Sequence, residues 1–197
     1  MTNGGTLIGV GVGPGDPGLV TLNAIEALKR ADVVAHFAKA GNASNARTIV
    51  AAHLNGAEEL PLLYPVTTEI PKADAAYRDA IRAFYDEAAG TIAARLDQGR
   101  IVAVIAEGDP LFYGSYMHLH VRLSDRYQTE IVAGVTGMSG CWSSVGTPIA
   151  QVSAANRAVL ASSPQARSSA STLGTAASSA SATASVANRA ERSAYPW

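Results

Sequence analysis

The sequence predicts an α/β domain built on a parallel sheet, and three observations predict it. Short aliphatic runs alternate with amphipathic stretches of helical period. Three of those runs end in turns made of glycine and other small residues. Residues 100–106, RIVAVIA, are almost continuously apolar, as a strand covered on both faces must be.

Taken in order, residues 6–12 (TLIGVGV) form a strand that runs into a Gly-rich turn. Residues 21–30 form a helix, with Thr21 as N-cap and Leu22, Ile25 and Leu28 at helical spacing. Residues 31–37 (ADVVAHF) make a second strand, residues 45–54 a helix, and residues 59–63 a short strand ended by Pro65. After Pro71, Tyr77, Ile81, Phe84, Ala88, Ile92 and Leu96 recur every three or four residues, which makes one face of a long helix with Gly90 as a candidate break. The apolar strand at 100–106 follows, then a helix over 113–123, a strand over 130–133 and a helix over 136–144.

The 197 residues are 48% hydrophobic and only 16% charged. Lys and Arg number 15 against 16 Asp and Glu, a balance that excludes an electrostatic grip on nucleic acid or an anionic membrane. The one cysteine, Cys141, allows no intrachain disulfide and fits a reducing, cytoplasmic setting. No apolar run approaches the roughly 18 residues of a membrane span, and the first residues lack the pattern of a secretory signal. The texture changes after Gln151: of the 45 residues from 153 to 197, 25 are Ala or Ser. So few large side chains cannot offset the entropy of ordering, and residues 152–197 are expected to be a disordered, low-complexity tail.

Three turns carry the candidate chemistry. The first, Gly9 to Thr21 (GVGVGPGDPGLVT), follows a strand and precedes a helix, where glycine lets backbone approach a ligand closely. Gly13, Gly15 and Gly18 match the G-x-G-x-x-G dinucleotide fingerprint in form. Pro14 and Pro17 remove two N–H groups from such a cradle, Asp16 adds negative charge, and His36-Phe37 stands where an acidic residue should meet the ribose. An NAD(P)-dependent oxidoreductase is therefore the alternative reading, and a non-functional fragment the third. The second turn, Ala106 to Ser115 (AEGDPLFYGS), offers carboxylate and carbonyl acceptors suited to an amino group or hydroxyls, with Asp109 equally able to serve as a helix cap. The third, Ala133 to Cys141 (AGVTGMSGC), again joins a strand end to small residues and a helix. Converging, the three would make a small-molecule crevice. His36 is a candidate substrate contact or a structural histidine, and Tyr113 and Tyr116 either line a cavity or belong to the core. His118 and His120 point to different faces of one helix, which gives no metal site.

Together these turns resemble the tetrapyrrole methylase family of S-adenosylmethionine-dependent methyltransferases. The resemblance rests on Gly11-Val-Gly13-Pro-Gly15-Asp16-Pro-Gly-Leu19-Val20-Thr21, on Glu107-Gly108-Asp109-Pro110 and on Ala133-Gly134-Val135-Thr136-Gly137. FAKAGNASNAR (37–47) and GDPLFYGSYMHL (108–119) are similar to the branch that methylates C-20 of precorrin-2 in cobalamin synthesis. The resemblance implies S-adenosyl-L-methionine as methyl donor, no metal, precorrin-2 as tetrapyrrole substrate, and a homodimer when full length. By matching positions it implies that Pro14, Glu107, Gly108, Asp109, Phe112, Thr136 and Gly137 contact the cofactor. It implies that Gly13, Gly15, Asp16, His36 and Tyr113 border the substrate.

The resemblance runs over residues 6–151. It implies an N-terminal domain at 5–134 and the start of a second α/β domain at 135–151, most of which is expected to be missing, so that the chain is a candidate for inactivity. A frameshift is the expected origin of residues 152–197. With GC-rich codons chosen for 161–168, reading from the third base gives Val-Leu-Pro-Ala-Gly-Thr-Leu, which resembles the opening of the family's second domain.

Overall fold

A computed structural model of the chain describes residues 4–54, 56–66 and 69–146. The tail expected at 152–197 lies outside the described residues. Five strands alternate with five helices: β1 Thr6–Gly11, α1 Leu22–Arg30, β2 Val33–Lys39, α2 Asn45–Ile49, β3 Glu58–Tyr64, α3 Ala75–Leu96, β4 Val102–Ala106, α4 Tyr116–Leu123, β5 Gln128–Val132 and α5 Gly137–Val145. The sheet has the order β3-β2-β4-β1-β5, and every pairing is parallel.

The order follows from the two directions the chain takes. From β1 it moves through β2 to β3, with α1 and α2 on one face of the sheet. It then returns through β4 to β5, with α3 and α4 on the other. Side chains alternate accordingly. Leu7, Val33, Ala35, Val102 and Val104 pack against α3 and α4, while Ile8, Val10, Val34, Ala103 and Ile105 pack against α1 and α2. The central strand β4 is buried throughout, as its unbroken apolar run requires.

Local chemistry sets the element ends. Thr21, Ser44, Asp74 and Thr136 each accept a first-turn backbone N–H, capping α1, α2, α3 and α5. Gly90 does not interrupt α3, because nothing crowds it and the helix around it is anchored by Tyr85, Ala88, Ala89, Ile92 and Leu96. Two expected helices are shorter than the sequence suggests. The stretch at 45–54 stops at Ile49, where Val50 leaves the helical region, and resumes only as a 3-10 turn over Ala51–His53. The helix expected from 113 begins at Tyr116, because Tyr113 adopts a left-handed φ of 53°. The unit that holds the sheet is Met1–Gly146, and within it α5 buries none of its residues, with Met138, Trp142 and Val145 exposed.

Candidate functional site

The turns after β1, β4 and β5 meet, and they meet through backbone. Gly13 and Gly108 form an antiparallel bridge: the Gly13 N–H donates to the Gly108 carbonyl at 3.3 Å and the Gly108 N–H to the Gly13 carbonyl at 2.8 Å. Gly134 lies against both neighbouring turns, so that a Cβ there would stand 2.0 Å from the Gly108 oxygen and 2.8 Å from Gly11. Pro14 rests on α5 at Gly140. Asp109 locks the junction: its carboxylate accepts the Leu111 N–H at 2.9 Å and the Gly134 N–H at 3.0 Å. Asp109 is thus the staple between the β4 and β5 turns.

The first turn is not a dinucleotide cradle. Asp16 accepts the Gly18 N–H at 2.8 Å and caps a 3-10 turn over Pro17–Leu19. Helix α1 begins only afterwards, and Thr21 accepts its Ala24 N–H at 3.1 Å. The helix N-terminus that should face a pyrophosphate is displaced from the glycines and capped by its own chain. Gly9 has a different task from the one its motif suggests. The buried ring of Tyr116 sits over it, within 2.4 Å of where a Cβ would be. Tyr116 is therefore a core residue.

Adjacent strands whose connections leave toward opposite faces open a crevice at their carboxyl ends. Beside the central strand β4 there are two such places, between β1 and β4 and between β2 and β4. The Gly13–Gly108 bridge closes the first. The second is open: a crevice of about 340 Å³ lies there, between Phe37 and Ala43–Ala46 on one side and Ile105–Glu107 and Tyr113–Ser115 on the other. Of the residues the sequence points to, only Glu107 and Tyr113 line it. Phe37, Ser44, Asn45 and Ser115 line it as well. The small-residue run Gly41–Ser44 after β2 is the signal that marks their loop, by the same logic as the other three turns.

The walls are held in place by specific contacts. Tyr64 at the end of β3 hydrogen-bonds Ser115 at the start of α4, and its ring stacks on Phe37 with centroids 5.7 Å apart. Burial first, then the neighbouring Tyr85, pushes the Tyr64 phenol up, so it stays protonated and able to donate. Asn45, the first residue of α2, donates from Nδ2 to Glu107 Oε2 at 3.2 Å across the crevice. Tyr113 is 93% exposed at the mouth, edge-on to Phe112.

His36 is not in the crevice. It is buried on the α1–α2 face of β2, with Nε2 3.9 Å from Glu59 and Nδ1 without a hydrogen-bond partner. Burial holds its pKa below the ordinary value. The Glu59 carboxylate opposes that shift and Arg47, ion-paired to Glu59, adds to it. Thr136 and Gly137 stand at the N-terminus of α5, across from Gly108. A Cβ on Gly108 would find Gly137 N, Thr136 Cα and Val135 O at 3.8–3.9 Å, so the two turns face one another without touching there. Cys141 is exposed.

Comparison with known proteins agrees with this architecture. The family model of tetrapyrrole (corrin/porphyrin) methylases matches residues 6–192. The chain is 58% identical over 148 residues to a precorrin-2 C(20)-methyltransferase from a Sinorhizobium species, covering 75% of this chain and 60% of that protein. It is 49% identical over 150 residues to the cobalamin biosynthesis protein CobIJ of Mycobacterium bovis, covering 76% of this chain and 30% of that one. It therefore spans 60% of the length of the first of these relatives and 30% of the second. Among solved structures, a cobalt precorrin-4 methyltransferase superposes with a TM-score of 0.54 at 28% identity, covering 74% of this chain and 52% of that one.

Proposed function

The chain belongs to the tetrapyrrole (corrin/porphyrin) methylases, and from that premise we propose that it acts as an S-adenosyl-L-methionine-dependent methyltransferase on C-20 of precorrin-2, in cobalamin synthesis. The observation that carries the reading is the 58% identity with a precorrin-2 C(20)-methyltransferase. The acceptor-rich meeting point of the three turns supports it.

The residues fit the methyl donor. The Gly108 turn faces the Val135–Gly137 turn, whose Gly137 N, Thr136 Cα and Val135 O are the nearest atoms to where a Cβ on Gly108 would stand. The two turns carry carbonyl, carboxylate and hydroxyl oxygens, and these suit ribose hydroxyls, an ammonium group and a sulfonium charge. Pro14, the Glu107–Asp109 turn, Phe112, Thr136 and Gly137 would hold the donor, which supplies an activated methyl group when bound. Asp109 contributes by fixing the turns, since its carboxylate is engaged with Leu111 and Gly134.

The tetrapyrrole side falls to Tyr113, which lines the crevice, and to Gly13, Gly15 and Asp16 of the β1 turn outside it. His36 serves only as support for the end of β2, because its side chain is buried. A crevice of about 340 Å³ is at the small end for ligand sites and takes an edge of a flat macrocycle. The electron-rich meso carbon is itself the nucleophile, so the protein's task is to position it and exclude water. The same reading makes the full-length protein a cytoplasmic homodimer. Among the described residues no helix is long and apolar enough to cross a membrane.

Equilibrium titration tests the reading. S-adenosylhomocysteine is expected to bind and NAD is not; NAD binding with no response to S-adenosylhomocysteine would overturn the reading.

A further inference from the structure

We propose that the Glu107 carboxylate is the proton acceptor for the methylated meso carbon, and that Asn45 is the residue that aims it. The inference rests on the methyltransferase reading above and adds the group that completes its chemistry. A meso carbon that gains a methyl group still carries its hydrogen. For conjugation to return, that C–H bond must break. Its electron pair goes back into the macrocycle, and its proton must go to a base within reach.

Glu107 is the one carboxylate that lines the crevice. The acidic side chains around it are engaged elsewhere: Asp109 with the Leu111 and Gly134 N–H groups, Asp16 with the Gly18 N–H, and Glu59 with Arg47. Among the described residues, Glu107 has Asn45 as its one hydrogen-bond partner and no Lys or Arg paired with it. Asn45 is fixed by its place in the first turn of α2, where Ser44 accepts the Arg47 N–H. An amide donor orients a carboxylate without the positive charge that would oppose its taking up a proton. Oε2 is thus tethered by Asn45, and Oε1 has no hydrogen-bond partner among the described residues. The main chain of Glu107 belongs to the turn at the donor, while its side chain crosses to the wall formed by the β2 loop. The base therefore stands where the edge of the substrate and the methyl group meet.

The test follows hydrogen exchange at C-20, with no methyl donor present. Precorrin-2 is held anaerobically in deuterated buffer with the purified protein, and loss of the C-20 proton is followed by NMR. A group that can deliver a deuteron to this carbon and remove the proton speeds exchange, by about 10²-fold over the free substrate. Glu107→Gln keeps an acceptor for Asn45 but cannot take a proton. It is expected to return exchange to the free rate even at a precorrin-2 concentration that saturates it. Glu107→Asp should restore part of the rate, and Asn45→Ala should lower it at saturating precorrin-2. Wild-type exchange by Glu107→Gln, with substrate bound, would overturn the proposal and leave the methyltransferase reading standing. Failure of the wild-type protein to bind precorrin-2 would overturn both.

Discussion

Gly13 and Gly108 exchange two backbone hydrogen bonds across the ends of β1 and β4, and this one pair decides where a ligand can enter the sheet. The bridge shuts one of the two places beside β4 at which the chain diverges to opposite faces. The gap between β2 and β4 remains; one wall comes from the Ala106–Ser115 turn and the other from Phe37 and Ala43–Ala46, which none of the three turns includes.

The backbone junction sets a sharp contrast between two glycines three residues apart. Gly134→Ala drives a Cβ into the Gly108 carbonyl and is expected to destabilise the fold by about 1–3 kcal/mol or more. Gly137→Ala meets nothing within 4 Å, lies in α5, and should be neutral or stabilising by up to about 1 kcal/mol. Urea unfolding of the two variants checks the order; equal midpoints would refute it.

Asp109 should matter through the two N–H groups it satisfies. Asp109→Ala is expected to cost about 1.5–3 kcal/mol and to remove the hydrogen-exchange protection of the Gly134 amide. Because the turns it ties also border the donor, the same change should weaken S-adenosylhomocysteine binding more than Cys141→Ser does. Calorimetry with both variants reads this directly, and equal losses would contradict it.

His36 predicts a pH dependence with a definite sign. Buried and lowered in the folded protein, it takes up a proton there only below its ordinary pKa of about 6.5, whereas the unfolded chain takes one up near that value. The unfolded state therefore binds more protons in that window, and stability falls as pH drops below about 6.5. His118, lowered by burial and by Arg122, adds in the same direction. His36→Leu also removes the unpartnered Nδ1 and should flatten the dependence of Tm between pH 7.5 and 5.5. An unchanged slope would show that His36 is not the group responsible.

Tyr113 carries a left-handed φ of 53° on a large side chain that is 93% exposed, a conformation that costs about 1–2 kcal/mol per residue. Tyr113→Gly should leave stability equal or higher while weakening tetrapyrrole binding. A loss of stability with affinity intact would reverse the interpretation.

Much of this fold was legible in the sequence because local chemistry and tertiary packing agree. The apolar run through Val102–Ala106 is the central strand, the period of Phe84, Ala88, Ile92 and Leu96 is the buried face of α3, and Thr21 caps the helix it precedes. The glycine turns are legible as a meeting point for the same reason. The crevice is not, because it depends on strand order: β4 inserts between β2 and β1, and no residue of β4 records that in its own neighbourhood. His36 is misleading for a related reason. One step along β2 separates it from Phe37, and alternation sends the two side chains to opposite faces, so which of them meets the crevice depends on which face opens. The left-handed backbone of Tyr113 likewise has no sign in a sequence that otherwise continues a helical pattern.

The position of a transferred methyl group decides whether this protein methylates C-20. Precorrin-2 and S-adenosyl-L-methionine labelled with ¹³C in the methyl group are incubated with the purified protein, and the product's carbon spectrum is recorded. A single new methyl signal on C-20 is expected. Label at any other carbon, or none while both ligands are bound, would contradict it.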